Sequence, residues 1–258
     1  MKIWIATLFC MLFSVATAAA NESEIEFIRM LRNTLKNHPD LVLEILREHS
    51  ESVLDIAQQG SNIRRKKNME LQWREDLKKA KSVTTTNRPV LGPANAPVTV
   101  IAFSDFTCPY CQQAAEVLDR IVRARPQDVR VIFKHMPYSK DSPARLAAEY
   151  FVAASLQNNH APWLLYKSFF AEPEKLTAEA QSFTARVAEQ AGLDMKKLTA
   201  DLKSKKINAI IEEDQSDAKK LNVEGTPFFL VNNLTVRGAV PYDIFNAAVD
   251  MALANNKK

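Results

Sequence analysis

The sequence has little cysteine, little glycine and little net charge. Its 258 residues include three cysteines and five glycines, and 34 basic residues stand against 30 acidic ones. Three cysteines are too few for the disulfide framework of a small secreted scaffold. The scarcity of glycine favours a helix-rich chain, because few positions can adopt left-handed turn conformations freely. The small positive balance does not indicate a nucleic-acid partner.

Long apolar runs are confined to the start of the chain. Lys2 is followed by an apolar stretch, Ile3 to Val15, and then by Ala18-Ala19-Ala20. This order predicts a cleaved signal peptide over residues 1–20, with an apolar core too short to span a bilayer. Cys10 lies in that segment, and Phe9 before it does not fit a lipoprotein signal. We therefore expect export to the periplasm, with two cysteines in the mature protein.

Those two cysteines, Cys108 and Cys111, lie where a strand gives way to a helix. The alternating, β-branched run Val98–Phe103 predicts the strand. The helix is predicted by apolar residues at helical spacing: Ala114, Ala115, Val117, Leu118, Ile121 and Val122. A helix N-terminus favours an anion, so it favours the thiolate that carries out disulfide exchange. Cys111, one turn later, is placed to resolve a mixed disulfide.

The cysteine pair has other possible uses. A tetrahedral zinc site needs two more ligands, and Cys10 and the four histidines (His38, His49, His135 and His160) form no ligand-spaced pair. We predict no structural metal and no bound cofactor. Two thiolates do suit Cu(I), so a copper-binding or copper-tolerance protein of the envelope is an alternative function. A structural envelope protein with an unused dithiol is a third.

The N-terminal part of the mature chain is predicted to be an all-helical extension. Residues 21–60 show two amphipathic helical patterns, separated by Pro39 and ended by Gly60. Two such helices bury too little apolar area by themselves, so the pattern predicts a helical hairpin that packs on copies of itself, as a dimer or trimer, or forms a lid on the same subunit. Residues 61–88 are charged and predict a helical stalk and linker.

The remaining part, residues 89–258, predicts an α/β domain. Val129–Phe133 is a second strand, which forms a parallel βαβ unit with the first. A helical section follows over about residues 141–221, beginning at Ser142-Pro143. Gly225-Thr226-Pro227 then precedes two strands, Phe228–Val231 and Leu234–Arg237, and a final helix. The predicted order is β-α-β, helical insert, β-β-α.

Together, Phe103 to Gln112, the helical insert, Gly225-Thr226-Pro227 and the terminal β-β-α resemble the DsbA-like branch of the thioredoxin superfamily. The similarity extends from about Val90 to the C-terminus. The helical extension resembles, more generally, the oligomerising extensions of ScsC-type and Com1-type proteins. This resemblance implies an α/β thioredoxin fold with an inserted helical domain and an N-terminal helical extension.

The resemblance also implies roles for particular residues. Cys108 would be the attacking nucleophile and Cys111 the resolving thiol, while Pro109 and Tyr110 between them would tune the redox potential. Pro227 would follow a cis peptide bond, and the backbone around Thr226 would pair with an extended substrate. The partners implied are exported proteins that contain cysteines and a membrane protein that reoxidises or reduces the pair.

Two departures from the family pattern affect the functional prediction. Many members carry a buried acid six residues before the first cysteine, where this chain has Ala102; Asp105, Lys134, His135 or water would have to replace it. Strong oxidases often have Val before the cis-proline, whereas this chain has Thr226. We therefore predict an exported protein thiol–disulfide oxidoreductase, a disulfide isomerase with oxidase capability.

Overall fold

The computed structural model describes residues 24–256. The predicted signal peptide, with Cys10, lies outside these residues. The chain divides between Arg65 and Lys66 into two compact units. No helix in the described part is long and apolar enough to cross a membrane.

The first unit contains helices joined by very short breaks. Helix α1 covers residues 24–37, α2 is Pro39–Glu48, and α3 begins at Ser50 and runs to Asp76 in the second unit. Pro39 separates α1 from α2 as predicted, because proline disfavours helical geometry at the preceding residue, His38. An αα-hairpin uses a loop of about 2–5 residues, so these single-residue breaks differ from the predicted hairpin.

Gly60 does not end the second predicted helix. Helix α3 continues through it for 27 residues in all. The residues that follow Gly60 include several strong helix formers, among them arginine, lysine, methionine and glutamate. Their combined propensity outweighs the cost of one glycine, about 1 kcal/mol, so the helix does not stop there.

The end of α3 is part of the second unit and not an exposed stalk. Trp73 is fully buried, and its indole Nε1 donates a hydrogen bond to the carbonyl of Thr235 at 2.7 Å. Further along, Arg88 is buried and pairs with Asp214 at 2.8 Å. The predicted stalk over residues 61–88 is corrected accordingly, because its apolar and charged side chains have partners in the second unit.

A five-stranded mixed sheet forms the centre of the second unit. Its strands are β1 (Val90–Leu91), β2 (Val98–Ser104), β3 (Val129–His135), β4 (Phe228–Val231) and β5 (Leu234–Arg237), in the order β1-β3-β2-β4-β5. The central β2 and β3 are parallel, and the other pairs are antiparallel. β1 was not predicted, because two residues show no periodic pattern.

Helices surround this sheet in the predicted order. α4 (Pro109–Ala124) connects β2 to β3, and α11 (Tyr242–Asn256) follows β5. The insertion between β3 and β4 contains α5 (Pro143–Ser155), α6 (Ala161–Ala171), α7 (Pro173–Ala178), α8 (Ala180–Gln190), α9 (Met195–Leu202) and α10 (Lys205–Lys220). α7 and α8 are separated by the single residue Glu179, whose φ of −130° is not helical.

The two faces of the sheet pack against different groups of side chains. Val98, Val100 and Ala102 of β2 belong to the large core that contains Cys111 of α4. Ile101 and Phe103 face the other side, where Ala218 of α10 packs. This alternation determines which strand residues can reach the cysteine pair.

Candidate active site

The cysteine pair lies at the first turn of α4, directly after the central strand. Cys108 is the residue before the helix, with extended backbone angles, and Pro109 occupies the first turn. The N–H groups of Cys111 and Gln112 donate to the carbonyl of Cys108 at 3.0 and 3.1 Å. Because β2 ends before the loop, the helix begins beyond the end of this central strand, and Pro109 and Tyr110 in its first turn are exposed.

The two thiols have different exposure. Cys108 is half-buried, whereas Cys111 is buried with 1% of its surface exposed. Tyr110 between them is 62% exposed, and Pro109 is exposed as well. A macromolecular disulfide can therefore approach Cys108 and Tyr110, but not Cys111.

The loop before β4 brings Thr226 and Pro227 to the same place. The peptide bond between them is cis, as the family resemblance implied. The Cys108 Sγ–H donates to the carbonyl oxygen of Thr226 at 3.7 Å, across 118 residues of sequence. The structure thus brings together the predicted residues Cys108, Cys111, Thr226 and Pro227.

Cys111 is held protonated by its surroundings. Burial, with a smaller contribution from the neighbouring Cys108, raises the pKa of its thiol to about 12. Hydrogen bonds from the backbone N–H of Asp105 and from the hydroxyls of Ser104 and Thr226 act in the opposite direction and lower this pKa.

The residues considered as substitutes for the missing acid have other surroundings. Ala102 is buried in the core at the expected position. The ammonium group of Lys134 points to α10, where it contacts Asp214 at 3.0 Å and Asp217 at 2.8 Å. It therefore lies on the opposite face of the sheet from Cys111.

Asp105 and His135 do not supply a free ionised group either. The carboxylate of Asp105 accepts from the N–H of Thr107 at 2.6 Å and from the N–H of Tyr138 at 3.2 Å. Burial lowers the pKa of His135 well below its usual value, and the positive charges of Arg88, Lys134 and Arg145 lower it further. Asp105 affects Cys111 through its backbone N–H, and His135 is neutral.

Ser104 is the residue near the pair that the sequence reasoning missed. It is the last residue of β2, only 5% exposed, and lies two positions after Ala102 on the same face of the strand. The sequence pattern that could have identified Ser104 is the alternation of side chains along β2, because every second side chain of this strand faces α4. A polar residue on that buried face, four positions before Cys108, could have been identified.

A groove of about 600 Å³ lies beside Cys108. Met136, Pro137 and Tyr138 form one side, and the loop that ends at Thr226 forms the other. Its lining residues are Asp105, Thr107, Cys108, Met136, Pro137, Tyr138, Val223, Glu224, Gly225 and Thr226. Cys108 thus lies in the wall of this groove together with Gly225 and Thr226.

The described residues contain no group of three or more histidine, cysteine, aspartate or glutamate side chains that could hold a metal ion. Any metal at the cysteine pair would have two thiolates of this chain as its ligands. The predicted copper-binding alternative therefore stays a prediction.

A Cys-X-X-Cys at the start of the helix after the central strand, beside a cis-proline loop on a mixed sheet, defines a thioredoxin-fold protein. The helices inserted between β3 and β4 agree with the DsbA-like architecture predicted. Residues 84–251 match the family model described as thioredoxin, and the chain belongs to this family. The predicted fold class is therefore confirmed.

Solved structures agree with this assignment. A thioredoxin-like oxidoreductase from Silicibacter pomeroyi is 30% identical, with a TM-score of 0.54 over 66% of this chain and 94% of that one. ScsC from Proteus mirabilis is 20% identical, with a TM-score of 0.58 over 92% of this chain and 99% of that one. At that identity, the second likeness shows the fold alone.

Curated relatives match the same domain. A probable disulfide bond formation protein D from Bacillus anthracis is 29% identical over 63% of this chain and 77% of its own length. A sodium–proton antiporter NhaA from Salinispora tropica is 32% identical over 64% of this chain, but the match covers only 25% of that protein. The chain thus spans about a quarter of the length of the first curated relatives that it matches.

Proposed function

We propose that the chain is an exported thiol–disulfide oxidoreductase that acts on proteins in the periplasm. The observation that carries this proposal is the position of the Cys108 thiol, half-buried and 3.7 Å from the Thr226 carbonyl, with Cys111 buried behind it. This arrangement lets one sulfur meet a substrate while the other is protected from it. The likeness to a thioredoxin-like oxidoreductase and to a probable disulfide bond formation protein supports the same activity.

The reaction begins with the Cys108 thiolate. It attacks one sulfur of a substrate disulfide, the substrate S–S bond breaks, and the other substrate sulfur leaves as a thiolate. A second substrate thiolate can then attack the sulfur bound to Cys108, which rearranges the substrate and restores the enzyme. Alternatively, Cys111 attacks Cys108 Sγ, so that two electrons pass to the substrate and the pair becomes oxidised.

We further propose isomerase activity with oxidase capability. Thr226 before the cis-proline supports it, since the family resemblance associates threonine there with isomerases and reductases. A membrane redox partner would set the direction by keeping the pair reduced for isomerisation or oxidised for disulfide formation. Pro109 and the exposed Tyr110 would tune the redox potential, and Thr226 and Pro227 would hold the substrate.

Self-association through residues 21–60 is the second part of this proposal. Apolar side chains are exposed along the described helices of the first unit, including Ile28 at 46%, Leu31 at 45% and Leu46 at 42%. Burying such side chains against copies of the chain is favourable by about 25 cal/mol per Å² of apolar surface. An oligomer, a dimer or a trimer, would place several cysteine pairs around one misfolded substrate.

The test is the refolding of a substrate with scrambled disulfides. The mature protein is compared with a truncated chain that begins at Lys66, which retains Trp73, and with Cys108→Ala. Rescue by the mature protein alone supports an oligomeric isomerase. Rapid oxidation of a reduced dithiol peptide without rescue would indicate an oxidase, and no thiol exchange in either assay would contradict the proposed function.

A further inference from the structure

Two exposed tyrosines lie near the reactive cysteine. Among the described residues of the second unit, three large apolar or aromatic side chains are exposed, namely Leu71, Tyr110 and Tyr138. Leu71 is on α3, whereas Tyr110 lies between the two cysteines of the redox pair. Tyr138 is 76% exposed and lines the groove beside Cys108. Tyrosine is enriched at the energetic centres of binding surfaces, so this position indicates contact with a substrate.

Tyr138 is held in place by its backbone, which leaves its ring exposed. It belongs to the loop between β3 and α5, and its N–H donates to the carboxylate of Asp105 at 3.2 Å. The same carboxylate accepts from the N–H of Thr107, the residue before Cys108, at 2.6 Å. Because one carboxylate joins the two loops, the ring of Tyr138 is positioned relative to the reactive sulfur before any substrate binds.

The groove is acidic. Among the described residues that line it, Asp105 and Glu224 are acidic and none is a lysine, an arginine or a histidine. Glu224 is exposed, two residues before Thr226, and its carboxylate has no hydrogen bond or ion pair within the described part of the chain. Lys140, on the same loop as Tyr138, lines a different cavity. An available carboxylate and an exposed aromatic ring both attract the side chain of a lysine or arginine.

We propose that the groove selects substrate segments with a lysine or arginine next to the reacting cysteine, through the carboxylate of Glu224 and the ring of Tyr138. This inference rests on the proposed function and names the class of segment that the enzyme accepts. The occupant is an extended stretch of an unfolded exported protein. Its basic side chain lies in the groove while its sulfur meets the Cys108 thiolate.

Overall charge and local charge act in opposite directions on such a substrate. The chain has a formal charge of +4, so long-range attraction favours acidic segments. The thiolate of Cys108 favours basic segments in every variant that keeps this cysteine. The contribution of the groove is therefore measured by comparing the wild-type protein with variants of Glu224 and Tyr138.

The experiment measures how fast the reduced mature protein reacts with three short peptides. Each peptide has one cysteine, joined to a pyridylthio group by a disulfide bond, and the residues on both sides of it are lysine, glutamine or glutamate. Attack of Cys108 on the peptide sulfur breaks this disulfide and releases pyridinethione, which is followed by its absorbance. Each rate is divided by the rate of the same peptide with dithiothreitol, which corrects for the reactivity of the peptide itself. We expect the lysine peptide to react about tenfold faster than the glutamate peptide.

Four variants separate the two groups of the groove from the net charge. Glu224→Gln removes the carboxylate, and Tyr138→Leu removes the aromatic ring but keeps an apolar side chain. Each should reduce the preference for the lysine peptide about threefold, whereas Tyr138→Phe, which keeps the ring, should retain it. Glu189→Gln removes one exposed carboxylate of α8, outside the groove, and should also retain it.

The inference and the proposed function fail in different ways. Equal corrected rates for the three peptides would overturn the inference, as would an unchanged preference in both Glu224→Gln and Tyr138→Leu. An equal loss of preference in Glu189→Gln would assign the effect to net charge and overturn it as well. The proposed function itself would be overturned if no peptide released pyridinethione faster with the wild-type protein than with Cys108→Ala.

Discussion

At the scale of single residues, the second unit buries a cluster of charged groups on the face of the sheet opposite Cys111. Lys134 is fully buried and contacts both Asp214 and Asp217. Burial alone would raise the pKa of Asp217, but hydrogen bonds from Lys134, from the N–H of Thr84 and from Lys220 bring it down to about 2. These contacts connect β3, α10 and the segment before β1, so the cluster has a structural role.

Removing Lys134 should destabilise the protein strongly. Lys134→Met leaves two buried carboxylates without their shared partner, which costs about 3–5 kcal/mol. The measurement is the free energy of unfolding from urea denaturation at pH 7. The control is Lys78→Met, which removes an exposed pair with Glu75 and should change the free energy by less than about 1 kcal/mol. Similar losses in the two variants would contradict the structural role of the cluster.

The same cluster gives a pH dependence with a definite sign. The pKa of Asp217 is lower in the folded protein than its ordinary value of 3.8. Its stabilising contribution is therefore present above about pH 4 and is lost as the pH falls toward 2. Asp217→Asn should flatten the stability profile in that window, measured by thermal unfolding between pH 2 and 5. An unchanged slope would show that other carboxylates account for acid unfolding.

At the scale of elements, the last turns of α3 cover the outer edge of β5. Trp73 bonds the carbonyl of Thr235, and the N–H of Thr235 donates to the carboxylate of Asp76 at 2.8 Å. The backbone N–H of Lys81 donates to the side chain of Asn233 at 2.7 Å. An exposed strand edge can pair with other chains, so this cover both stabilises the sheet and prevents edge-to-edge association.

Trp73→Ala tests this cover. We expect a loss of about 3–5 kcal/mol in the free energy of unfolding, because a buried indole and its hydrogen bond are removed. Leu71→Ala, two residues away and 57% exposed, is the matched control and should have little effect. Unfolding of the full mature chain is followed by circular dichroism. A Trp73 variant as stable as the control would mean that α3 contributes little to the second unit.

The elements also show which features could be predicted from the sequence. The sequence predicted the four longer strands, β2 to β5, because their apolar residues alternate or run continuously. It also identified Cys108 and Cys111 from their spacing. The contact of Trp73 with Thr235 joins positions 162 residues apart, and no local pattern indicates it. Ser104 lies between these cases, since strand alternation gives its face but only the fold shows that Cys111 is opposite. The cis bond before Pro227 came from the family resemblance alone.

At the scale of the whole molecule, the question is what covers the apolar residues of the first unit. Within the described residues, helix α2 has no buried residue, although leucine, isoleucine and valine make up half of it. Such a surface is larger than scattered apolar residues would give and is typical of an association site. The proposed self-association would cover it, and it would also give the extension a role beside the second unit.

Ile28→Glu combined with Leu46→Glu tests self-association and its link to function. Placing two carboxylates in an apolar interface should convert the oligomer to monomers, because each charge would have to be buried without a partner. Light scattering after size exclusion measures the mass, and refolding of a scrambled substrate measures isomerase activity. We expect the mass to fall to that of one chain and the isomerase activity to be lost, while oxidation of a small dithiol peptide stays at the wild-type rate.

Leu71→Glu, an exposed apolar position in the second unit, should stay oligomeric. A wild-type protein that is monomeric at micromolar concentration would instead favour a lid that covers the same subunit, and loss of both activities would mean that the helices support the active site directly.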